Sequence, residues 1–175
     1  MSQVHSSGTK PERILCRSLW HIGFRYRLNI KYLPGSPDIV LPKYRTVIFV
    51  HGCFWHGHKG CKRSSIPKTN TDFWTNKITR NQERDQEVWR QLEARGWYVI
   101  IIWECQLKKA LVDETIAQVA AEIRQNGETL KQIAVDKQRI RKEYQLEVKS
   151  RKAQEASLKA EIKQLLHEKK ALGIL

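Results

Sequence analysis

Residues that bind metal ions and transfer protons are concentrated between positions 34 and 61. The stretch reads PGSPDIVLPKYRTVIFVHGCFWHGHKGC and contains one carboxylate, Asp38, together with three histidines and two cysteines. Carboxylate oxygens bind hard cations such as Mg²⁺, whereas imidazole and thiolate groups bind Zn²⁺. The density of these groups predicts metal-assisted chemistry.

Four of the candidate ligands have the types and spacing of a structural zinc site. Cys53, His58 and Cys61 are close in sequence, and Cys105 directly follows a distant predicted strand. Three thiolates and one imidazole would fill all four positions around a tetrahedral Zn²⁺ ion and leave none for a catalytic water. The alternative is a loop of free cysteines. Cys16 lies on the apolar side of the first predicted helix and is expected to be a core thiol.

Asp38, His51, His56 and Asp85 form a second candidate site, suited to a catalytic Mg²⁺ ion. Such a cation keeps several waters, so one carboxylate and a backbone carbonyl are sufficient protein ligands. The histidines could activate a water or protonate a leaving oxygen. The alternative is that Asp38 caps a strand end and that the histidines are solvated. For Glu12, capping of the first helix is a sufficient role.

The hydrophobic pattern predicts an α/β domain that presents these residues at strand ends. A capping box at Thr9 and Glu12 begins a helix that Gly23 ends, and a second helix covers 72–95. A third helix is expected at about 110–125. The last strand, WYVIIIW, is expected in the centre of the sheet. Alternating or continuous apolar runs place the strands at 24–30, 37–41, 47–50 and 97–103.

Beyond Gly127 the composition changes, which predicts a domain at 1–125 and a basic helical extension at 128–175. Residues 128–170 contain neither Pro nor Gly, and their apolar residues recur at spacings of three, four and seven. This pattern predicts one long helix or a helical pair, with a seam too irregular for a committed coiled coil. The extension could pair with itself or bind another macromolecule.

The charge and the cysteine content restrict the class of protein. The formal net charge of +14 is spread over both segments and indicates an anionic partner, most often nucleic acid. Four cysteines without a recognisable signal peptide argue against a disulfide framework. No apolar run approaches the roughly 20 residues of a membrane span. We therefore expect a cytoplasmic protein.

Three aromatic residues, Phe54, Trp55 and Trp74, lie in or next to the polar loop. Aromatic residues usually belong to a core. In a basic protein, beside a polar loop, stacking on DNA bases is the competing role.

Three sequence motifs resemble the very-short-patch mismatch repair endonucleases, the Vsr family. They are LPGSPDIVLPKYRTVIFVHGCFWHGHKGC, PKTNTDFWTNKITRNQERD and GWYVIIIWEC, and they occur in the family's order between about Ser2 and Leu107. The resemblance implies a restriction-endonuclease-like α/β fold. It also implies a DNA-repair hydrolase that uses Mg²⁺ to nick one strand of double-stranded DNA beside a T·G mismatch. Such an enzyme would be of prokaryotic type and nucleoid-associated, and DNA or a mismatch-repair protein would be a candidate partner of the helical extension.

Matched position by position, the resemblance assigns a role to each candidate residue. Asp38 would be the metal-binding carboxylate, and the backbone carbonyl of Val50 would be a second ligand. His51 and His56 would be the catalytic histidines, with Asp85 orienting His56. The remaining assignments are Glu12 near the catalytic centre, Cys53, His58, Cys61 and Cys105 on structural zinc, and Phe54, Trp55 and Trp74 as a wedge beside the mismatch.

The sequence also departs from the family pattern. Gly8 stands where an acidic residue is usual, Val50 stands where Thr is common, and the zinc loop has one additional residue. We expect the basic N-terminal segment of the family to be short or missing. Two alternative functions stay open: a restriction-like nuclease that recognises an intact site, and a zinc-stabilised DNA-binding module that does not cleave.

Overall fold

The computed structural model of the chain describes residues 8–171, which divide between two units, Met1–Thr129 and Leu130–Leu175. The first unit combines helices with strands, and the second is helical. The elements in chain order are α1 (Lys10–His21), β1 (Arg27–Leu28), β2 (Ile39–Leu41), β3 (Thr46–His51), α2 (Thr71–Ala94), β4 (Tyr98–Trp103) and α3 (Val112–Ala171), with short 3₁₀ turns at Pro42–Tyr44 and Lys62–Ser64.

A mixed four-stranded sheet in the order β1-β2-β3-β4 forms the centre of the first unit. Neighbours among β1, β2 and β3 are antiparallel, whereas β3 and β4 are parallel and pair His51 with Trp103 at their carboxyl ends. Helices pack against the sheet through two hydrophobic clusters. This architecture confirms the predicted α/β fold of the restriction-endonuclease type.

The position predicted for the last strand is wrong. Among the described strands, β4 lies at an edge of the sheet and not in its centre. Its apolar run reflects cover on both faces, since Ile100 and Ile102 belong to one hydrophobic cluster and Val99 and Ile101 pack against the other. A continuous hydrophobic run thus reports the burial of both faces of a strand, but not the number of its neighbours.

The first strand is shorter than predicted. Residues Arg27 and Leu28 pair with β2, whereas the prediction covered 24–30. Phe24 is buried in the core before the strand begins, and Asn29 adopts a left-handed backbone conformation with φ of 48° directly after it. The left-handed residue turns the chain out of the strand, and an alternating pattern does not reveal such a turn.

Successive side chains of a strand point to opposite faces of the sheet, so the core consists of two layers, one on each face. The layer that contains α1 and the start of α3 includes Ile39, Ile48 and Ile100, and the layer that contains α2 includes Val40, Val47 and Phe49. Asp38 and His51 share the parity of the second set. Their side chains therefore lie on the α2 side of the sheet, where His51 stacks on Trp89.

Helix α1 begins with the predicted capping box. The Thr9 hydroxyl accepts a hydrogen bond from the Glu12 N–H, and the Glu12 carboxylate accepts one from the Thr9 N–H. Gly23, with φ of 95°, follows the end of the helix as predicted. Cys16 is half-buried and packs against the core, and burial raises the pKa of its thiol.

Helix α3 continues through Gly127, where the sequence predicted a boundary between two helices. A Cβ atom built on Gly127 would lie 2.8 Å from Cδ1 of Tyr44. The adjacent Asn126 donates hydrogen bonds from Nδ2 to the Tyr44 carbonyl (2.7 Å) and to the Thr46 hydroxyl (3.1 Å). Gly127 therefore permits a close contact with the turn between β2 and β3, and it does not end the helix.

From Leu130 onward the helix forms the second unit by itself. Its large apolar side chains are mostly exposed, with 59% exposure for Ile140 and 66% for Tyr144. Among the described residues, no helix combines the length and the apolar content that crossing a membrane requires.

Candidate active site and metal centre

A cleft of about 870 Å³ opens where β2 begins and β3 ends. The five side chains that the sequence singled out for catalysis line this cleft, although they come from five different parts of the chain. They are Glu12 in α1, Asp38 before β2, His51 at the end of β3, His56 in the following loop and Asp85 in α2.

Asp38 is half-buried in the cleft. Its Oδ2 accepts a hydrogen bond from the backbone N–H of Val50 at 2.7 Å. Burial raises the pKa of Asp38 and the Glu12 carboxylate adds to the rise, whereas the Val50 hydrogen bond and His56 oppose it, and the resulting pKa is about 6. Because the ionised carboxylate is costly here, a neighbouring cation would stabilise it. The role of the Val50 carbonyl as a metal ligand stays a prediction.

Glu12 is buried, and the cap of α1 uses both of its carboxylate oxygens. Oε1 accepts a hydrogen bond from the Thr9 hydroxyl at 2.6 Å, and Oε2 accepts one from the Gly8 N–H at 2.8 Å. The carboxylate therefore fixes the start of α1 and adds negative potential beside Asp38.

His56 and Asp85 form a hydrogen-bonded pair through Nδ1 of the imidazole and Oδ2 of the carboxylate. Asp85 is buried on α2, and Nη2 of Arg84 lies 3.7 Å from its other oxygen. A carboxylate acceptor at Nδ1 keeps the proton of the neutral ring on that nitrogen. Nε2 of His56 is then the nitrogen that can accept a proton, as in a general base whose ring is oriented by a carboxylate.

His51 is buried and packs face to face on His56, with 3.7 Å between ring centroids and 15° between ring planes. Trp89 and Trp103 enclose the ring at centroid distances of 5.9 and 5.5 Å. Burial, followed by the proximity of His56, lowers the pKa of His51 to about 4. The ring is therefore neutral at neutral pH. Within the described part of the chain, its Nδ1 is a buried nitrogen without a hydrogen-bond partner, so it can bind a group that a ligand supplies.

Cys53, His58, Cys61 and Cys105 form one cluster, with all ligand atoms within 4.8 Å of one another. The Sγ atoms of Cys53 and Cys105 each lie 3.4 Å from Nδ1 of His58. Burial raises the pKa of Cys53 to about 12. Such a thiol is ionised at neutral pH only where a cation compensates the charge of the thiolate. The four groups can therefore hold a metal ion.

Helix α2 holds the loop that carries both sites. Asn81 donates a hydrogen bond to the Trp55 carbonyl at 2.9 Å, and Gln82 donates to the carbonyls of His56 (3.2 Å) and Gly57 (3.3 Å). Gly57 has φ of 62°, and a Cβ atom there would lie 2.4 Å from Nε2 of Gln82. The loop therefore requires glycine at this position, both for its backbone conformation and for its contact with α2.

Phe54, Trp55 and Trp74 form an edge-to-face aromatic cluster. Phe54 lies 5.3 Å from each of the two tryptophans, which are 6.1 Å apart. Phe73, which sequence analysis did not select, extends the cluster at 5.1 Å from Trp74 and is 61% exposed. Trp55 is 38% exposed and also lines the cleft. The cluster is therefore a surface feature next to the candidate catalytic residues.

Glu104 is a further residue of the site that sequence analysis did not assign. Its Oε1 accepts a hydrogen bond from the Cys53 N–H at 3.1 Å, and its Oε2 lies 3.5 Å from Nη2 of Arg63. Its own N–H donates to the His51 carbonyl at 2.9 Å. Glu104 therefore joins β3, β4 and the metal cluster. The sequence signal that could have identified Glu104 is its position between the end of a predicted strand and the predicted ligand Cys105.

The fold and the site together define a class of protein. A mixed α/β sheet carries a carboxylate, a His–Asp pair and a second histidine in one cleft at the ends of its strands. This combination is that of a restriction-endonuclease-like nuclease.

Comparison with known proteins identifies the family. The family model described as DNA mismatch endonuclease Vsr matches residues 1–63. The chain is 51% identical over 125 residues to the type II nicking enzyme V.NmeAIP of Neisseria meningitidis, covering 71% of this chain and 89% of that protein. It is 41% identical over 120 residues to the DNA mismatch endonuclease Vsr of Escherichia coli K12, covering 67% and 76%. The chain belongs to the Vsr family and is a DNA endonuclease, a hydrolase of phosphodiester bonds.

Proposed function

We propose that this endonuclease nicks one strand of double-stranded DNA beside a T·G mismatch in very-short-patch repair. The observation that carries the proposal is that one short loop contains both His56, paired with Asp85, and the exposed Trp55 of the aromatic cluster. Bond cleavage and disruption of a faulty base pair would then occur side by side. The net charge of +14 favours the approach of DNA. The relative from E. coli that is named a DNA mismatch endonuclease supports the same target.

Asp38 and the backbone carbonyl of Val50 would hold a catalytic Mg²⁺ ion, with waters as its remaining ligands. The raised pKa of Asp38 supports this assignment, because a cation offsets the cost of a half-buried negative charge. The bound cation would stabilise negative charge on the phosphate oxygens. Glu12, with both oxygens used by the helix cap, would act beside this site through its negative potential.

His56 would be the general base that removes a proton from the attacking water. Asp85 holds the Nδ1 side of the ring, so the proton would go to Nε2, and the carboxylate would stabilise the imidazolium that forms. The oxygen of the water would bond to phosphorus as the bond from phosphorus to the leaving oxygen breaks. His51, whose pKa is lowered to about 4, would remain neutral and would position the water or a phosphate oxygen through a hydrogen bond.

The metal in the cluster of Cys53, His58, Cys61 and Cys105 would be Zn²⁺ with a structural role. Bond lengths of roughly 2.3 Å to sulfur and 2.0 Å to nitrogen around a tetrahedral ion correspond to a sulfur–nitrogen separation of about 3.5 Å. The observed separations of 3.4 Å are close to this value. Because Cys105 follows β4, the ion would attach the catalytic loop to the sheet.

Phe54, Trp55 and Trp74 would act as a wedge that enters the base stack at the mismatch. Unstacking a base step costs a few kcal/mol, and the cost is smallest where pairing is already faulty. A wedge therefore favours a T·G site over a matched site without reading any base edge. Phe73, exposed at the margin of the same cluster, would extend its contact with DNA.

A second candidate is a restriction-like enzyme that nicks an intact sequence. Two relatives favour it by name: V.NmeAIP, and V.XorIIP of Xanthomonas oryzae pv. oryzae, to which the chain is 53% identical over 108 residues, 61% of this chain and 78% of that protein. Both are named type II nicking enzymes.

A nicking assay on paired duplexes separates the candidates. Each duplex carries a different fluorophore on each strand and either a T·G mismatch or the matched T·A or C·G pair, in varied sequence contexts. Mg²⁺-dependent cleavage of one strand beside T·G supports the proposal. Equal cleavage of matched duplexes supports the restriction-like candidate, and binding without any cleavage supports a DNA-binding module. The variant Asp38→Asn, purified in parallel, controls for contaminating nucleases.

A further inference from the structure

The helix of the second unit carries a row of exposed apolar residues that is interrupted at its centre by one arginine and one glutamate. Ile140, Tyr144 and Leu158 are 59%, 66% and 58% exposed, and Ile162 and Leu166 are 49% and 54% exposed. At 100° per residue, these side chains fall on one stripe of the helix, which is roughly 40 Å long between residues 140 and 166. An exposed apolar stripe of this size marks an interaction surface.

We call the part of this row between positions 140 and 166 the seam, and its spacing is symmetric, whereas Ile133, 45% exposed, continues the row outside it. The intervals between its members are four, four, three, four, three, four and four residues, the same in both directions along the chain. The centre of symmetry is at position 153. The members, paired by their equal distance from that position, are Arg151 and Glu155, Val148 and Leu158, Tyr144 and Ile162, and Ile140 and Leu166.

We propose that two copies of this chain pair through the seam as an antiparallel two-helix coiled coil. In this arrangement Arg151 of each copy meets Glu155 of the other, and apolar members meet apolar members on both sides of that centre. Parallel pairing would instead place Arg151 against Arg151 and Glu155 against Glu155, which is unfavourable in an interface. Charge complementarity therefore selects the antiparallel orientation.

The irregular spacing of the seam fits the same arrangement. Two successive intervals of four residues depart from a heptad repeat, and each departure rotates the apolar face around the helix. Because the intervals are the same from either end, the two departures of one helix lie opposite those of an antiparallel partner. The faces of both helices then turn together and stay in contact.

The composition of the seam favours a helix of the same kind over DNA as its occupant, although the second unit as a whole is basic. Six of its eight members are uncharged, and phosphate groups bind to Lys and Arg. Beside the seam, Arg139 forms ion pairs with Asp136 at 3.1 Å and with Glu143 at 3.9 Å in its own helix. A second copy supplies an apolar row of equal length and an oppositely charged residue at each charged position.

Sedimentation equilibrium of the full chain without DNA tests the proposal. We expect a reversible dimer of the wild type. Arg151→Glu and Glu155→Arg should each raise the dissociation constant by roughly 100-fold, because each dimer would contain two layers of like charges. The double variant should restore the wild-type dissociation constant. Lys149→Glu makes the same change of charge on the opposite face of the helix and should leave the dimer intact.

Three results would overturn the proposal. They are a wild type that stays monomeric at every concentration, a Lys149→Glu variant that dissociates as readily as Arg151→Glu, and a double variant that stays dissociated. Circular dichroism verifies that each variant retains its helix. If the wild type is monomeric, and Arg151→Glu and Lys149→Glu weaken duplex binding equally, the unit binds DNA. Nicking of T·G duplexes is measured separately, so the proposal can fail while the proposed function stands.

Discussion

Replacing Trp55 with Ala is the most direct test of the proposed recognition of a T·G mismatch. Trp55 is 38% exposed and contacts Phe54 and Trp74 at ring-centroid distances of 5.3 and 6.1 Å. If it stacks on DNA, the variant should lose transition-state stabilisation on a T·G duplex. If it is only a packing residue, the variant should lose folding stability instead.

The expected magnitudes separate these two roles. One lost base stack costs about 1–3 kcal/mol, which corresponds to roughly 5- to 150-fold in kcat/KM on the mismatched duplex. Each of the two aromatic contacts within the protein is worth about 0.5–1.5 kcal/mol beyond the burial of the ring, so together they contribute up to about 3 kcal/mol to the free energy of unfolding. Because the ring is partly exposed, we expect a loss well below this limit.

The assay compares kcat/KM on mismatched and matched duplexes with the free energy of unfolding measured in urea. Trp20→Ala is the matched control, since Trp20 lies on α1, is 53% exposed and contacts Tyr26 and Arg25. It should leave the mismatch preference unchanged. If Trp55→Ala unfolds early but keeps the wild-type preference for T·G, the wedge is refuted and the restriction-like candidate gains support.

Further variants test the metal sites and the loop. Asp38→Asn should abolish Mg²⁺-dependent nicking with duplex binding nearly unchanged, and loss of both in a folded protein would contradict the assignment. The folded-state pKa of Asp38, about 6, is above its ordinary value of 3.8. Ionisation of Asp38 therefore lowers the free energy of unfolding as the pH rises between these two values, and the full loss is reached above pH 6. Asp38→Asn without Mg²⁺ should therefore raise the free energy of unfolding at pH 8 by up to about 3 kcal/mol in urea titrations. For the wild type, nicking at limiting Mg²⁺ should decline as pH falls through about 6, and more Mg²⁺ should move the midpoint lower; a midpoint independent of Mg²⁺ would argue against Asp38 as the ligand. Cys105→Ser should lower bound zinc, measured by mass spectrometry, together with Tm, whereas Cys16→Ser should change neither much; a metal-free wild type of unchanged Tm would exclude the site. Gly57→Ala should lower Tm and nicking together, because its Cβ would collide with Gln82, and an unchanged Tm would show that the loop relaxes at no cost.

Local signals in the sequence were sufficient to predict most helices and strands of the first unit. The Thr9–Glu12 capping box depends on residues three apart, and α2 and β4 were bounded within a residue or two by Gly96 and the apolar run before Glu104. The cluster of Cys53 with the distant Cys105 was also predictable, because ligand type and strand ends limit the possible partners. The catalytic roles of the clustered side chains stay predictions.

Other features depend on contacts that a one-dimensional pattern does not contain. The edge position of β4 is set by which strands pair, not by the hydrophobicity of any of them. A glycine such as Gly127 is typical of a helix end, but Gly127 lies inside α3. Glycine is needed there because the ring of Tyr44 occupies the space that a side chain would fill. The stacking of His51 on His56, and the carboxylate of Glu104 on the Cys53 N–H, join residues whose spacing alone does not suggest contact.

The loop between β3 and α2 has a consequence for how the family can diversify. Residues 51–61 carry both candidate catalytic histidines, three of the four metal-cluster residues and two members of the aromatic cluster, and Asp38 precedes them in the same short segment. A single recombination or grafting event could therefore transfer most of these groups as one contiguous piece, provided that the recipient chain keeps an acceptor for His56 at the position of Asp85 and a fourth ligand at the position of Cys105. Surfaces encoded elsewhere in the chain can then mutate toward a new target sequence while these groups are inherited together.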